Sequence, residues 1–390
     1  MTTTLIDPEI AAKMIDLRRH LHRNPELSSE EHETQKTIRA RLEAAGLDGI
    51  RDVAGTGLIL DIVGGGGPSN RKVAIRADID ALPITEESGV DFASTNPGVM
   101  HACGHDAHTA MVYATALALQ KNRDRFRGTV RLIFQPAEEN EPLGGRRIVQ
   151  DGHIDDIDGV IGIHVDPGLE TGKIAVSPGT YTLACDTFDI VVTGKGSHAA
   201  MPEQGVDALS AAVSIAQQLG QIVTRERNAY APLVVAVTML HAGTAHNILP
   251  GKAVMAGTIR SGSEEVRAMA HRRVLEIAEA AALMHRASVD VVCTRGDVAV
   301  INDPEMVDLI RAAGNAVGGD DTVRNLPGWT PGDDFGFYSE KKPGVYFRLG
   351  IRNEQAGSVH PLHHPAFRLD EAAMPLGAST LTEAALRFLE

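Results

Sequence analysis

The segment KVAIRADIDALP, residues 72–83, decides the fold, because a short apolar run there leads directly into acidic residues. VRLIF (130–134) and VIGI (160–163) are runs of the same kind, bounded by polar residues and separated by stretches with a helical pattern. Short, continuously apolar strands that alternate with helices are typical of a parallel sheet buried on both faces. We therefore predict an α/β fold, with a three-layer domain built on a mostly parallel sheet.

Acidic or metal-ligating side chains follow all three runs. They are Asp78, Asp80, Glu138, Glu139 and His164. Because ligands of open α/β sheets bind outside the carboxyl ends of the strands, we expect these side chains to converge at one edge of the sheet.

A glycine run, residues 64–67, separates the strands predicted at 57–63 and 72–76. No helix pattern follows the glycines, and their spacing fits neither the dinucleotide-binding pattern nor the phosphate-binding loop. We predict that this segment is a hairpin turn and that the two strands pair with each other.

The middle of the chain changes character. Strand, helix, strand, strand, helix and strand patterns follow one another between residues 188 and 293, which is the order of a ferredoxin-like βαββαβ unit. We predict one domain from 1–183 and 295–390, interrupted by an inserted lid and dimerisation domain at 184–294. The length of 390 residues suits two such domains.

Composition and charge exclude several classes of protein. The net charge is −14, from 37 Lys and Arg against 51 Asp and Glu, which argues against nucleic acid or a membrane as partner. Aromatic residues make up only 4% of the chain, so stacking platforms for bases are sparse. The N-terminal segment lacks the pattern of a signal peptide, and the three cysteines are far apart. We expect a cytoplasmic protein without disulfides.

Histidine placement gives the clearest chemical signal. HACGHDAH (101–108) puts a thiol, three imidazoles and a carboxylate directly before a helix predicted at 109–120. His360, His363 and His364 lie in HPLHHP near the C-terminus. Cys, His and Glu side chains suit Zn²⁺, Mn²⁺ or Co²⁺, and a pair of such ions needs about five protein ligands. The sequence supplies enough of them.

Over nearly its whole length the chain resembles the dinuclear metal aminoacylase and carboxypeptidase-G-like family. The similarity is to the amidohydrolase branch that includes hippurate hydrolases, N-acetyl-diaminopimelate deacetylases and auxin-conjugate hydrolases. The motifs that carry it are RADIDALP (76–83), NPGVMHACGHDAHTAM (96–111), IFQPAEE (133–139), GIHV (162–165), GKGSHAAMP (194–202), HNILP (246–250) and PLHHPAF (361–367).

The resemblance implies a ligand set for two divalent metal ions, Zn²⁺, Mn²⁺ or Co²⁺. In this branch a cysteine takes the place of the bridging aspartate used in other branches, and the first histidine of the pair before Pro365 matches the family ligand. The implied metal ligands are Cys103, His105, Glu139, His164 and His363.

The resemblance also implies roles for five other residues. Glu138 matches the catalytic carboxylate that takes a proton from water, and Asp80 matches the acid that orients a histidine of the metal site. His198 matches a histidine that polarises the scissile carbonyl, often from the partner subunit. Asn247 and Arg260 match positions that bind the substrate's carboxylate, for which a planar guanidinium is well suited.

The implied reaction is hydrolysis of an N-acyl amino acid to a carboxylic acid and a free amino acid, in a homodimer formed through the lid domain. The resemblance does not identify the acyl group, because Glu203 and Asp166 occupy positions where many relatives have a histidine and an aromatic residue. A dipeptidase or carboxypeptidase with the same mechanism is an alternative. So are a metal-free amidase with Cys103 as its nucleophile and a non-catalytic binding protein.

Overall fold

The computed structural model describes residues 5–390. Its helices, in chain order, are α1 Pro8–Arg23, α2 His32–Ala44, α3 His105–Lys121, α4 Gly144–Gln150, α5 Ala208–Gln221, α6 Glu264–Met284, α7 Pro304–Gly318, α8 Gly336–Lys341 and α9 Met374–Leu389. Its strands are β1 Arg51–Val53, β2 Gly57–Val63, β3 Lys72–Asp78, β4 Thr129–Gln135, β5 Gly159–Glu170, β6 Ile174–Ala175, β7 Gly179–Thr180, β8 Ala184–Thr193, β9 Ser197–His198, β10 Leu233–Ala242, β11 Ile248–Leu249, β12 Lys252–Ser261, β13 Ser288–Asp297, β14 Ile301–Asn302, β15 Val323–Arg324 and β16 Gly344–Arg352. None of the helices in this described part of the chain is both long and apolar enough to cross a bilayer.

The first compact unit is built on an eight-stranded sheet with the order β1-β2-β4-β3-β5-β16-β6-β15. Its central neighbours β4, β3, β5 and β16 run parallel to one another. Nearly every residue of β3 and β4 is buried, as expected for strands covered on both faces. The predicted α/β fold with a mostly parallel sheet is therefore confirmed.

The predicted hairpin at residues 64–67 is wrong. β2 and β3 do not pair, because β4 lies between them, antiparallel to β2 and parallel to β3. The glycines instead pack against the loop before β4, where a Cβ on Gly64 would lie 2.2 Å from the carbonyl oxygen of Phe126. Close backbone contact, rather than turn geometry, explains the glycine run.

Helix α3 begins at His105, earlier than the predicted start at residue 109. Gly104 precedes it in the left-handed conformation, with φ +91°, and no side chain caps the helix, which is why the sequence carries no ordinary start signal. α3 is buried along almost all of its length and packs against α1, α9 and β3. The early start places His105 and His108 in the first turn of a buried helix.

Residues 182–300 and 329–336 form the second compact unit. Its sheet has the order β10-β12-β8-β13 with all neighbours antiparallel. α5 and α6 pack on it around a core that includes Phe188, Ile215 and Val274, which is a ferredoxin-like arrangement. The sequence prediction assigned 329–336 to the other domain. The segment joins this unit through close packing, since a Cβ on Gly332 would lie 2.9 Å from Asp297 Oδ2.

Candidate metal centre

The side chains predicted as metal ligands lie in two overlapping groups. One consists of Cys103, His105 and His164, and the other of Cys103, Glu139 and His363; within each group the ligand atoms lie within 4.8 Å of one another. Glu139 follows β4 and His164 lies on β5, both neighbours of β3 in the sheet. Because Cys103 belongs to both groups, the arrangement suits two ions that share one ligand.

Gly104 allows the side chains of Cys103 and His105, the predicted ligands on either side of it, to approach the same centre. Cys103 Sγ lies 3.4 Å from His164 Nε2. A Cβ on Gly104 would lie 2.4 Å from Val165 Cγ2, and the residue has φ +91°. The Cys103-Gly104-His105 turn therefore requires glycine at its centre.

His363 closes the second group from a loop near the C-terminus. His363 Nε2 lies 3.2 Å from Glu139 Oε1, and the His363 N–H donates to Ala102 O at 2.9 Å. His364 Nδ1 instead accepts a hydrogen bond from the N–H of Ala366 at 3.0 Å. The structure thus places His363, rather than its neighbour, in the donor group.

Hydrogen bonds to oxygen fix the tautomers of two histidines in the first group. His105 Nδ1 lies 2.9 Å from Asp80 O and 3.2 Å from Asp80 Oδ1, and His164 Nδ1 lies 2.7 Å from Val165 O. Since a carbonyl oxygen only accepts, both Nδ1 atoms carry a proton, and Nε2 is the atom of each ring that can bind a metal ion once the ring is neutral. Among the described residues, the buried Nε2 of His105 has no hydrogen-bond partner, which fits a metal ion at that position.

Carboxylates dominate the electrostatics of the centre. Burial disfavours the charged imidazole of His105, but nearby carboxylates, Asp78 first among them, outweigh it and raise the pKa of His105 to about 10. Burial, followed by the charge of Glu139, raises the pKa of the Cys103 thiol well above its ordinary value. This buried negative charge favours the binding of cations at the centre. A bound divalent ion would displace the protons of both groups.

Glu138 lies beside the predicted ligands. Its Oε2 is 3.9 Å from His105 Nε2, the same distance as between Glu139 Oε1 and that nitrogen. Glu139 also joins the group of Cys103 and His363. Glu138 forms a further group with His105 and Glu139, so both carboxylates of the acidic pair lie at the same centre.

Comparison with known proteins identifies the family. Residues 74–387 match the model of peptidase family M20/M25/M40. The chain belongs to this family. It is 37% identical over 390 residues to an N-acetylcysteine deacetylase of Bacillus subtilis (strain 168), with 99% of each chain covered. It is 37% identical over 384 residues to thermostable carboxypeptidase 2 of Saccharolobus solfataricus, covering 97% of this chain and 96% of the relative.

A solved structure agrees in fold. The crystal structure of a dinuclear metal-binding M20 peptidase from Bacillus subtilis is similar with a TM-score of 0.86 at 35% identity, covering 98% of this chain and 99% of that one. The resemblance stated from the motifs is confirmed: the protein is a hydrolase of family M20.

Two of the remaining predicted residues of this M20 hydrolase lie together in the second unit. His198 on β9 pairs with Ile248 of β11, and the N–H of Ala199 donates to Asn247 O at 2.9 Å. His198 and Asn247 are thus neighbours on one exposed ribbon. His198 Nδ1 accepts the N–H of Ala200 at 3.1 Å, so a neutral ring carries its proton on Nε2.

Arg260 lies on the four-stranded sheet of the same unit. It is paired with Cys185 of β8 and Val234 of β10. Its neighbour Ile259 points into the core, so Arg260 lies on the face of the sheet opposite α5 and α6. Arg260 is half-buried.

The sequence did not predict the buried hydrogen bonds among residues next to the predicted ligands. Asp78 and His108 were noted in motifs without a role, yet both are fully buried, and Asp78 Oδ1 lies 2.6 Å from His108 Nδ1. Arg76 Nη1 lies 2.6 Å from Oδ2 of Asp78. The sequence does show Arg76, Asp78 and His108 within or next to the predicted metal motifs. It does not show that they pair, because their pairing depends on the sheet order.

Proposed function

We propose that this M20 hydrolase cleaves the amide bond of N-acyl amino acids and releases a carboxylic acid and a free amino acid. Two divalent metal ions, Zn²⁺, Mn²⁺ or Co²⁺, would be held by Cys103, His105, Glu139, His164 and His363. One observation carries the proposal. A second carboxylate, Glu138, adjoins a donor set in which one thiol belongs to both ligand groups. The five implied ligands do not include Glu138, which leaves its carboxylate available to accept a proton.

Glu138 is the proposed general base. When bound, the ions would lower the pKa of water and polarise the substrate carbonyl. A carboxylate oxygen of Glu138 takes a proton from the attacking water and later delivers it to the nitrogen of the departing amine. Asp80 holds the Nδ1 proton of His105 and so keeps Nε2 directed at the centre.

Substrate recognition is proposed for residues of the second unit. His198, with its proton on Nε2, donates a hydrogen bond to the scissile carbonyl oxygen; one such donor is often worth about 3–4 kcal/mol in the transition state. Arg260 and Asn247 bind the free carboxylate of the amino-acid part. These roles are taken from the family resemblance, and the tautomer of His198 supports the first of them.

A peptidase is the second candidate, because thermostable carboxypeptidase 2 matches the chain as closely as the deacetylase does. The two reactions share the base and the metal ligands. They differ in whether the group on the amide carbonyl is a simple acyl group or an amino acid.

A substrate panel separates these candidates. Wild-type protein would be assayed on N-acetyl and N-benzoyl amino acids, on dipeptides, and on N-acyl amino-acid amides, which lack the free carboxylate. We expect N-acyl amino acids to be hydrolysed, with the amides much poorer substrates. Faster hydrolysis of dipeptides would favour the peptidase, and no hydrolysis of any N-acyl amino acid would overturn the proposal.

Glu138→Gln is the matched test of the base. We expect the variant to keep its metal ions and to lose turnover by about 10²–10⁴-fold or more, since general base catalysis contributes that much. Substantial residual activity in a metal-loaded variant would reject Glu138 as the base.

We also propose a homodimer formed through the second unit, with His198 acting on the partner's substrate. Sedimentation would give the oligomeric state. Mixing inactive Glu138→Gln and His198→Ala proteins should then restore part of the activity. A monomer, or a dimer with no recovery after subunit exchange, would contradict this arrangement.

A further inference from the structure

A buried glutamate outside the metal motifs holds the backbone of the turn that carries Glu138 and Glu139. Glu31, at the start of α2, is completely buried. One of its carboxylate oxygens accepts the N–H of Ala137 at 2.8 Å, and the other accepts the hydroxyl of Thr56. Ala137 is the residue directly before Glu138.

The backbone is tied on the other side of Glu138 as well. Asp80 Oδ2 accepts the N–H of Glu139 at 3.0 Å. The carbonyl of Ala137 accepts the N–H of Gly144 at 2.9 Å. The backbone amides immediately before and after Glu138 are therefore both held by carboxylates, one from Glu31 and one from Asp80.

Ala137 needs such support. Its φ is +49°, a left-handed conformation that is unfavourable for a residue with a Cβ and persists only where neighbouring groups hold it. The same conformation turns the chain so that Glu138 and Glu139 both approach His105. If Ala137 relaxed to an ordinary conformation, both side chains would change direction.

The position of α2 does not explain a buried carboxylate at Glu31. Ile38 and Leu42 already anchor this helix in the core, and Gln35 Nε2 donates to the carbonyl of Gly57 at 3.1 Å. Burying a carboxylate is costly unless hydrogen bonds compensate, and those of Glu31 go to the turn and to Thr56. The hydrogen bonds of Glu31 thus stabilise the turn that carries Glu138.

We propose that Glu31 is a positioning residue, which orients Glu138 as the base and Glu139 as a ligand by fixing the amide of Ala137. The inference rests on the proposed function for the roles of these two acids. According to this inference, a residue at the start of α2 helps to shape the predicted metal centre without contacting metal or substrate.

Three variants test this role. Glu31→Ala removes the acceptor of the Ala137 amide. Glu31→Gln keeps an amide oxygen that can accept it, and its NH₂ can donate to the Thr56 hydroxyl. Gln35→Ala is the control, because it weakens the attachment of the same helix without touching the turn.

Two readouts need no substrate: hydrogen exchange of the amides at 137–139, and the dissociation constant for Zn²⁺ by competition with a chromophoric chelator. Glu31→Ala should exchange these amides faster and bind Zn²⁺ about 10–100-fold more weakly, the usual loss when support of a metal ligand is removed. Its turnover should fall by a similar factor, with a much smaller change in KM. Glu31→Gln should recover most of these losses, and Gln35→Ala should show neither.

Wild-type exchange and wild-type Zn²⁺ affinity in Glu31→Ala would overturn the inference, and so would equal effects of Gln35→Ala. If Glu31→Ala does not fold, Thr56→Val, which removes only the second partner of the carboxylate, should show the same changes at smaller size; their absence would again overturn it. Failure of the proposed function would appear differently, as wild-type protein that hydrolyses no N-acyl amino acid.

Discussion

His108 links Asp78 to the strand that carries His164, a predicted metal ligand. Its Nδ1 lies 2.6 Å from Asp78 Oδ1, and its Nε2 accepts the N–H of Val165 at 2.9 Å. Because Nε2 accepts a backbone proton, Nδ1 must donate its own to Asp78. The carbonyl of Val165 in turn accepts Nδ1–H of His164 at 2.7 Å. A continuous chain of hydrogen bonds therefore ends on the ring of His164.

His108→Ala is predicted to weaken metal binding without removing a ligand. The N–H of Val165 would lose its acceptor and His164 its fixed backbone, so we expect about 10–100-fold weaker binding of Zn²⁺ in a chelator competition. Thr115→Ala is the control, since its hydroxyl donates to Met111 O on the same helix, away from the metal centre. Equal Zn²⁺ affinity in His108→Ala and wild type would contradict the prediction.

Gly144→Ala is predicted to disturb the turn that carries the two glutamates. A Cβ at Gly144 would lie 1.8 Å from Pro136 O, so backbone must move, and the N–H of Gly144 would lose its contact with Ala137 O. We expect about 1–3 kcal/mol lower free energy of unfolding in urea, together with reduced turnover.

Gly220→Ala serves as the reference substitution. Gly220 lies in α5, and no side chain and no backbone from outside the helix lies within 4 Å of its Cβ position, so alanine there should raise stability by about 0.5–1 kcal/mol. Unchanged stability and turnover in Gly144→Ala would contradict the prediction, because the turn would then accommodate the Cβ without destabilisation.

Asp186 is predicted to make the second unit sensitive to acid. It pairs with both Arg267 and His271, and it accepts the N–H of Gly296 at 3.0 Å. Burial disfavours the carboxylate, but the hydrogen bonds from His271 and Arg267 outweigh it and lower the pKa of Asp186 to about 2. Since this lies below the ordinary 3.8, the stabilisation is complete above about pH 4 and is lost as the pH falls towards 2.

Asp186→Asn should therefore lower the free energy of unfolding by about 3 kcal/mol at pH 7, because Arg267 loses the buried carboxylate with which it pairs. The difference from wild type should shrink between pH 4 and pH 2 in thermal unfolding. Glu226→Gln, which breaks an ion pair with Arg273 at the surface of α6, should cost less than about 1 kcal/mol. A difference for Asp186→Asn that stays constant with pH would contradict the assignment.

The fold was predictable where it depends on local patterns. The apolar runs at β3, β4 and β5 identified buried strands, and the rule for carboxyl ends of strands indicated that Glu139 and His164 would lie at the same edge of the sheet. The pairing of β2 was not predictable in this way, because β4 enters the sheet between β2 and β3 from much later in the chain. Sheet order depends on packing across the whole domain, which local periodicity does not report.

The role of Glu31 could not be predicted from local patterns either. Glu31 and Ala137 are 106 positions apart in sequence, and neither belongs to a recognisable chemical motif together with the other. A single buried glutamate in a helix start carries the same sequence pattern as an exposed one. Its role becomes visible only when the fold brings the Ala137 amide against it.

The central claim is that a pair of metal ions at the Cys103 centre drives hydrolysis of N-acyl amino acids. Elemental analysis of purified protein, with hydrolysis of these substrates assayed before and after chelation, tests it most directly. We predict about two ions per chain, with activity lost on chelation and restored by Zn²⁺, Mn²⁺ or Co²⁺. Metal-free protein that still hydrolyses the substrates would contradict the account and make Cys103 the candidate nucleophile.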